Sequence, residues 1–182
     1  MSGQIDEMID RAKRQSEDAR SLALDHPDRF LERVWEGRWS PGEQIAHITL
    51  TDRPYLDVID TTIREARIRG VTSEGPFRGG KIGNWFARSM APPVKRRMKT
   101  PKRLHPAAEL TNEEVVQGFE QVRSELVQNL DSARGVDLDR AKMRSPYLKA
   151  LKLPLFSAYE VLLSHGDRHL WLALQMLEGA EG

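Results

Sequence analysis

The stretch Leu162-Leu163-Ser164-His165-Gly166-Asp167-Arg168-His169-Leu170-Trp171 places two of the chain's five histidines four residues apart in an otherwise helix-like, largely apolar run. On an α-helix, residues at that spacing differ by about 40° in direction and about 6 Å along the axis, so both imidazoles reach one point. This is metal-ligand spacing. By itself the pair fits a hydrogen-bonded core or a helix surface equally well, because an inward, uncharged imidazole needs a partner of some kind. A third histidine sharpens the reading: ions such as zinc in open catalytic sites take three protein ligands and leave one position for water. His47 is that candidate. The chain has no cysteine, which removes disulfides, thiolate ligands and a cysteine nucleophile, so any metal must be held by His, Asp or Glu. His26, beside Pro27, and His105, before Pro106, read as surface residues.

These histidines need elements that bring them together. Residues 3 to 24 carry Ile5, Met8, Ile9, Ala12, Ala19 and Leu22 at spacings of three and four, one apolar face of a first helix. Ser40-Pro41-Gly42-Glu43 supplies a capping hydroxyl, a proline at the first helical position and a glutamate three residues after the cap. A second helix then runs to about Arg69, with Pro54 inside it predicting a kink or local adjustment near Thr51. Residues 70 to 110 are rich in Gly and Pro, and Ile82 to Ala91 is their best short helix, expected to pack Trp85 and Phe86 on the body. So long a connection points to a lid or a crossover. Thr111 and Glu114 cap a third helix with Val115, Phe119, Val122, Leu126 and Leu130 on its stripe, and a fourth runs from about Leu155 to Glu178. No segment alternates as a strand would, and no repeat is present. The expected fold is all-α: a single domain over residues 1–182, a four-helix bundle in up-down-down-up order with a long crossover between helices two and three. In that order helices two and four are antiparallel, which carries His47 toward His165 and His169.

Composition narrows the function classes. A 182-residue chain with 39% hydrophobic and 30% charged residues suits one folded domain. The N-terminus has no secretion pattern and no apolar run approaches the roughly 18 residues of a membrane span, so a cytoplasmic, membrane-free protein is expected. The net charge of +1 hides nine Lys or Arg and no acid between Phe77 and Ala108. Lys95, Arg96, Arg97 and Lys99 could capture an anion or a nucleic-acid backbone, yet the segment lacks a helix-turn-helix pattern and base-stacking aromatics, which disfavours nucleic acid. Gln44, Thr51 and Tyr55 lie near the His47 side of helix two and are candidates to orient imidazoles. Trp39, Trp85 and Trp171 are candidate pocket walls, and Asp167, facing away from the histidines, is expected to pair with a cation.

The order Trp39-Ser40-Pro41-Gly42-Glu43-Gln44-Ile45-Ala46-His47, a long basic connection with Pro101-Lys102 and Pro106, then His165-Gly166-Asp167-Arg168-His169-Leu170-Trp171, resembles the DinB/YfiT-like superfamily of small metal-binding four-helix bundles. The resemblance spans nearly the whole chain. It implies a metal triad at His47, His165 and His169. It also implies a divalent cofactor, zinc or nickel first and manganese or iron next. The expected activity is that of a metal-dependent hydrolase or a transferase using a thiol of the bacillithiol or mycothiol type. Partners would be a small-molecule substrate, with a low-molecular-weight thiol among the candidates; separately from the resemblance, an exposed helix face leaves room for a homodimer. The alternative is a non-catalytic metal- or anion-binding helical bundle.

Overall fold

A computed structural model describes residues 3–33, 35, 37–94 and 100–179. The protein is mostly helical, in the order α1 (Gln4–Asp25), α2 (Pro41–Ile68), α3 (Lys81–Met90), a 3-10 turn (Lys102–Leu104), α4 (Asn112–Ser132), β1 (Lys142–Arg144), β2 (Lys152–Pro154) and α5 (Leu155–Leu177). The four expected long helices are α1, α2, α4 and α5, with ends within a few residues of those read from periodicity. Both predicted capping boxes form: Ser40 Oγ accepts from the Glu43 amide while Glu43 accepts from the Ser40 amide, and Thr111 and Glu114 repeat the exchange. No described helix is long and apolar enough to cross a membrane.

α1 and α2 each pack on both α4 and α5. One continuous core joins them, with Ala12 and Ala19 from α1, Ile45, Ile48 and Ile59 from α2, Phe119, Leu126 and Leu130 from α4, and Tyr159, Leu163 and Ala173 from α5 fully buried or nearly so. Polar pairs fix the directions. Gln44 meets His169 and Asp52 meets His165, so α2 and α5 run oppositely; Arg20 meets Glu120 and Arg134 meets Asp6, so α1 opposes α4. Pro54 leaves α2 continuous. Its missing amide would have served the Leu50 carbonyl, and that carbonyl and the Thr51 carbonyl instead accept from the Tyr147 hydroxyl at 3.3 and 3.0 Å.

Two expectations are corrected. The connection before α5 contains a small antiparallel hairpin, β1 with β2, pairing buried Met143 with buried Leu153. Strands of three residues are too short for alternation to stand out in a sequence. Trp85 does not pack on the body: it is 66% exposed. The buried face of α3 is Gly83, Ala87 and Met90, and Gly83 lies so close to Ser157 that a side chain there would collide with it. Small residues bring α3 against α5, and Trp85, two positions from both Gly83 and Ala87, is turned outward.

Candidate metal centre

His47 comes from the second turn of α2, and His165 and His169 come from successive turns of α5. The antiparallel packing of these helices brings the three imidazoles together with ring centroids 5.3 Å (His47 to His165), 4.8 Å (His47 to His169) and 4.6 Å (His165 to His169) apart. One nitrogen from each lies within 4.8 Å of the others. His47 and His169 are buried, while His165 keeps 16% of its side chain exposed and so opens the group toward solvent.

The outer nitrogens are engaged. His47 Nδ1 lies 2.8 Å from the Leu104 carbonyl, and His169 Nδ1 lies 2.6 Å from Gln44 Oε1. Both partners are acceptors, so each Nδ1 donates its proton and each Nε2 is left with a lone pair. His165 Nδ1 faces the buried Asp52 carboxylate at 3.7 Å. All three imidazoles thus have Nδ1 facing an oxygen, which leaves Nε2 as the nitrogen available for a metal ion, the arrangement in which histidines serve as ligands. Burial, with help from the neighbouring His165, pushes His47 down to about 4. Burial also holds His169 well below its ordinary value, with His165, His47 and Arg168 adding to the effect. Both rings are therefore neutral near pH 7, as ligation requires.

Of the other candidates, Gln44 holds an imidazole. Thr51 bonds back to the carbonyls of His47 and Ile48 and reaches Asp52 at 3.4 Å, whereas Tyr55 pairs with Ser145, away from the histidines. Trp39 covers the group, 4.8 Å from the His47 ring and 6.4 Å from that of His169. Trp85 and its exposed face are remote from this role, and Trp171 is half-buried with no ring contact to the trio. Asp167 faces α1, as expected, and pairs with Arg11 at 2.6 Å. His26 is half-buried at the end of α1, and His105 is exposed, but the His105 ring meets Trp39 edge-on at 5.4 Å and stands at the rim. Lys95, Arg96, Arg97 and Lys99 lie outside the described residues.

Sequence reasoning missed three groups. The Leu104 carbonyl is invisible to any side-chain pattern. Asp52 and Arg123 were legible only as charges at buried-stripe positions: Arg123 sits one residue after Val122 and four after Phe119, and Asp52 four before the buried Leu56. Two cavities are also present, one of about 400 Å³ between α1 and α4 bounded by Lys13, Arg20 and Arg123, the other of about 570 Å³ between α2 and the hairpin; neither is lined by the histidines.

Fold and site together define a mostly helical protein whose three clustered histidines can hold a metal ion. The chain belongs to the DinB superfamily, whose family model matches residues 11–173. No curated protein and no solved structure matches the chain significantly.

Proposed function

We propose that the protein is a metal-dependent enzyme, a hydrolase or a small-thiol transferase, acting through a divalent ion held by His47, His165 and His169. The observation that carries this reading is the gathering of three imidazoles whose ligand nitrogens lie within 4.8 Å of one another, with Nδ1 of His47 and His169 bonded outward to acceptors. When bound, such an ion lowers the pKa of a coordinated water or thiol and polarises an acceptor group. Three neutral nitrogen donors suit zinc or nickel first, and manganese or iron less well. A thiol would have to be a small-molecule cosubstrate, since the chain has no cysteine. His165, the most exposed of the three, lies where substrate enters, and Trp39 with the Lys102–Leu104 turn closes the opposite side.

The scaffold reading that accompanies it is one domain in up-down-down-up order, with residues 69–111 as the crossover. It is supported by the continuous core and by the pairings of Asp52 with Arg123 and Arg67 with the Ser132 carbonyl, which run α2 parallel to α4. A second reading, ion binding without turnover, is favoured by the cover that Trp39 and Leu104 place over two of the histidines.

The test is metal analysis of purified protein incubated with zinc or nickel beside His47→Ala and His165→Ala. Wild type is expected to retain about one ion per chain and each variant far less; equal retention removes the triad. Loaded protein that consumes neither activated esters nor a small thiol with an electrophilic aromatic acceptor favours binding without turnover.

A further inference from the structure

Asp52 and Arg123 form a buried pair from α2 and α4, 2% and 1% exposed at their side chains, in a core where uncompensated charge is costly. The Asp52 carboxylate is used at both ends. Oδ2 accepts from Arg123 Nη2, and Oδ1 faces His165 Nδ1 at 3.7 Å and Thr51 Oγ1 at 3.4 Å. Among the described residues Arg123 Nε and Nη1 reach no hydrogen-bond partner, and the acceptor its guanidinium bonds there is Asp52. Its face lies over the Phe119 ring, 4.8 Å from the centroid, which fixes the plane of the fork. A buried ion pair of this kind stabilises a fold no better than an apolar pair of equal volume does. What it supplies is direction.

We infer that Asp52 is a positioning residue for His165, and that Arg123 determines which oxygen of Asp52 is offered to that ring. Held by Arg123 at Oδ2, the carboxylate can present only an acceptor to His165 Nδ1. The ring then keeps its proton on Nδ1 and leaves Nε2 free toward His47 and His169. His47 and His169 receive the same instruction from neutral acceptors, a carbonyl and an amide oxygen. For His165, the most exposed of the three, the instruction comes from a charged acceptor anchored to a third helix. The inference rests on the metal reading for its purpose, but its central claim concerns a proton in the metal-free protein.

That claim has a specific consequence for Asp52→Asn. Arg123 demands an acceptor, so the amide oxygen turns to Arg123 and the NH₂ group turns to His165 Nδ1. The imidazole must then accept at Nδ1 and carry its proton on Nε2, aimed into the centre where a ligand lone pair is needed; the same wrong-tautomer logic governs an orienting aspartate in serine proteases. Adding Arg123→Met releases the amide, which can turn its oxygen back to His165.

The experiment uses ring ¹⁵N shifts of His165 in metal-free protein, together with zinc affinity. Expected are the Nδ1–H form in wild type, the Nε2–H form with a zinc affinity 10- to 100-fold weaker in Asp52→Asn, and return of both toward wild type in Asp52→Asn/Arg123→Met. An unchanged tautomer in Asp52→Asn, or a double variant that stays Nε2–H, overturns the inference. If Asp52→Asn fails to fold, Asp52→Asn/Arg123→Met is compared with Asp52→Leu/Arg123→Met. Both lack the buried charges and differ in the acceptor for Nδ1–H, so equal zinc affinities and equal tautomers overturn it. Wild type that binds no zinc but shows this pattern of tautomers would remove the metal reading and leave the positioning role standing.

Discussion

α5 carries two buried or half-buried polar groups on different sides, and they are built on opposite plans. Toward α1, Asp167 accepts from Arg11 at 2.6 and 2.9 Å and from Gln15, and Arg11 also reaches Glu160 and Ser164. Every charge there has an opposite charge in contact. Toward α2, His165 and His169 with His47 gather three imidazoles around one point, and Nδ1 of His47 and His169 is directed outward to an acceptor. Both regions spend polar side chains inside the fold. The first is a closed ion-pair network that ties two helices together; the second brings three ligand nitrogens within 4.8 Å of one another. Polar burial alone therefore does not mark a site, whereas the convergence of three ligand nitrogens on one point does.

Ligand substitutions test this contrast most severely. His169→Ala is expected to abolish ion retention in equilibrium dialysis against zinc, while Asp167→Asn, two residues away on the other face, leaves it unchanged. Comparable losses in both would mean that the two plans are not distinct.

Acid separates the regions next. His47 is held down to about 4 when folded, against about 6.5 for a free imidazole, so the unfolded chain binds more protons between those values. Stability of the metal-free protein is thus fully present above about pH 6.5 and falls as pH drops toward 4, by about 3 kcal/mol from this ring, with His169 acting in the same direction. Urea unfolding from pH 7 to 4.5 measures the fall. His47→Phe should flatten it; Arg11→Met should not.

A smaller effect probes the orientation of the rings. Gln44→Leu removes the acceptor for His169 Nδ1–H and should weaken zinc binding by about 10- to 100-fold in cobalt competition, with little change in helicity. The smallest effect belongs to the closed network. Arg11→Met breaks contacts that are a quarter to a third exposed, so it should cost about 1 kcal/mol or less, a fall of about 2–4 °C in Tm, with zinc affinity intact.

Much of the scaffold was legible because its signals are local. Ser40 with Glu43 and Thr111 with Glu114 announce helix starts through bonds spanning three residues, and the apolar spacing of α1, α2, α4 and α5 reports which face of each must be covered. The pairing of His165 with His169 follows from helix geometry alone. Trp85 misled because aromatic character predicts burial only on average, and the close approach of α3 to α5 depends on what Gly83 lacks rather than on what Trp85 offers. The hairpin escaped because each strand holds a single buried residue, Met143 between exposed neighbours and Leu153 between exposed Lys152 and half-buried Pro154.

The sequence by itself determined the four long helices, the caps that start α2 and α4, the absence of thiol ligands, and the shared face of His165 and His169, since the local features among these depend on residues within one or two turns of each other. Tertiary structure decided the rest. Only the antiparallel seating of α2 on α5 delivers His47 to the pair, only the 102–104 turn brings the Leu104 carbonyl to its Nδ1, and only the approach of α4 places Arg123 on Asp52 behind His165. Those contacts join residues 57 to 125 positions apart in the chain. At that separation no periodicity connects the partners, and the packing of apolar faces chooses which polar groups meet.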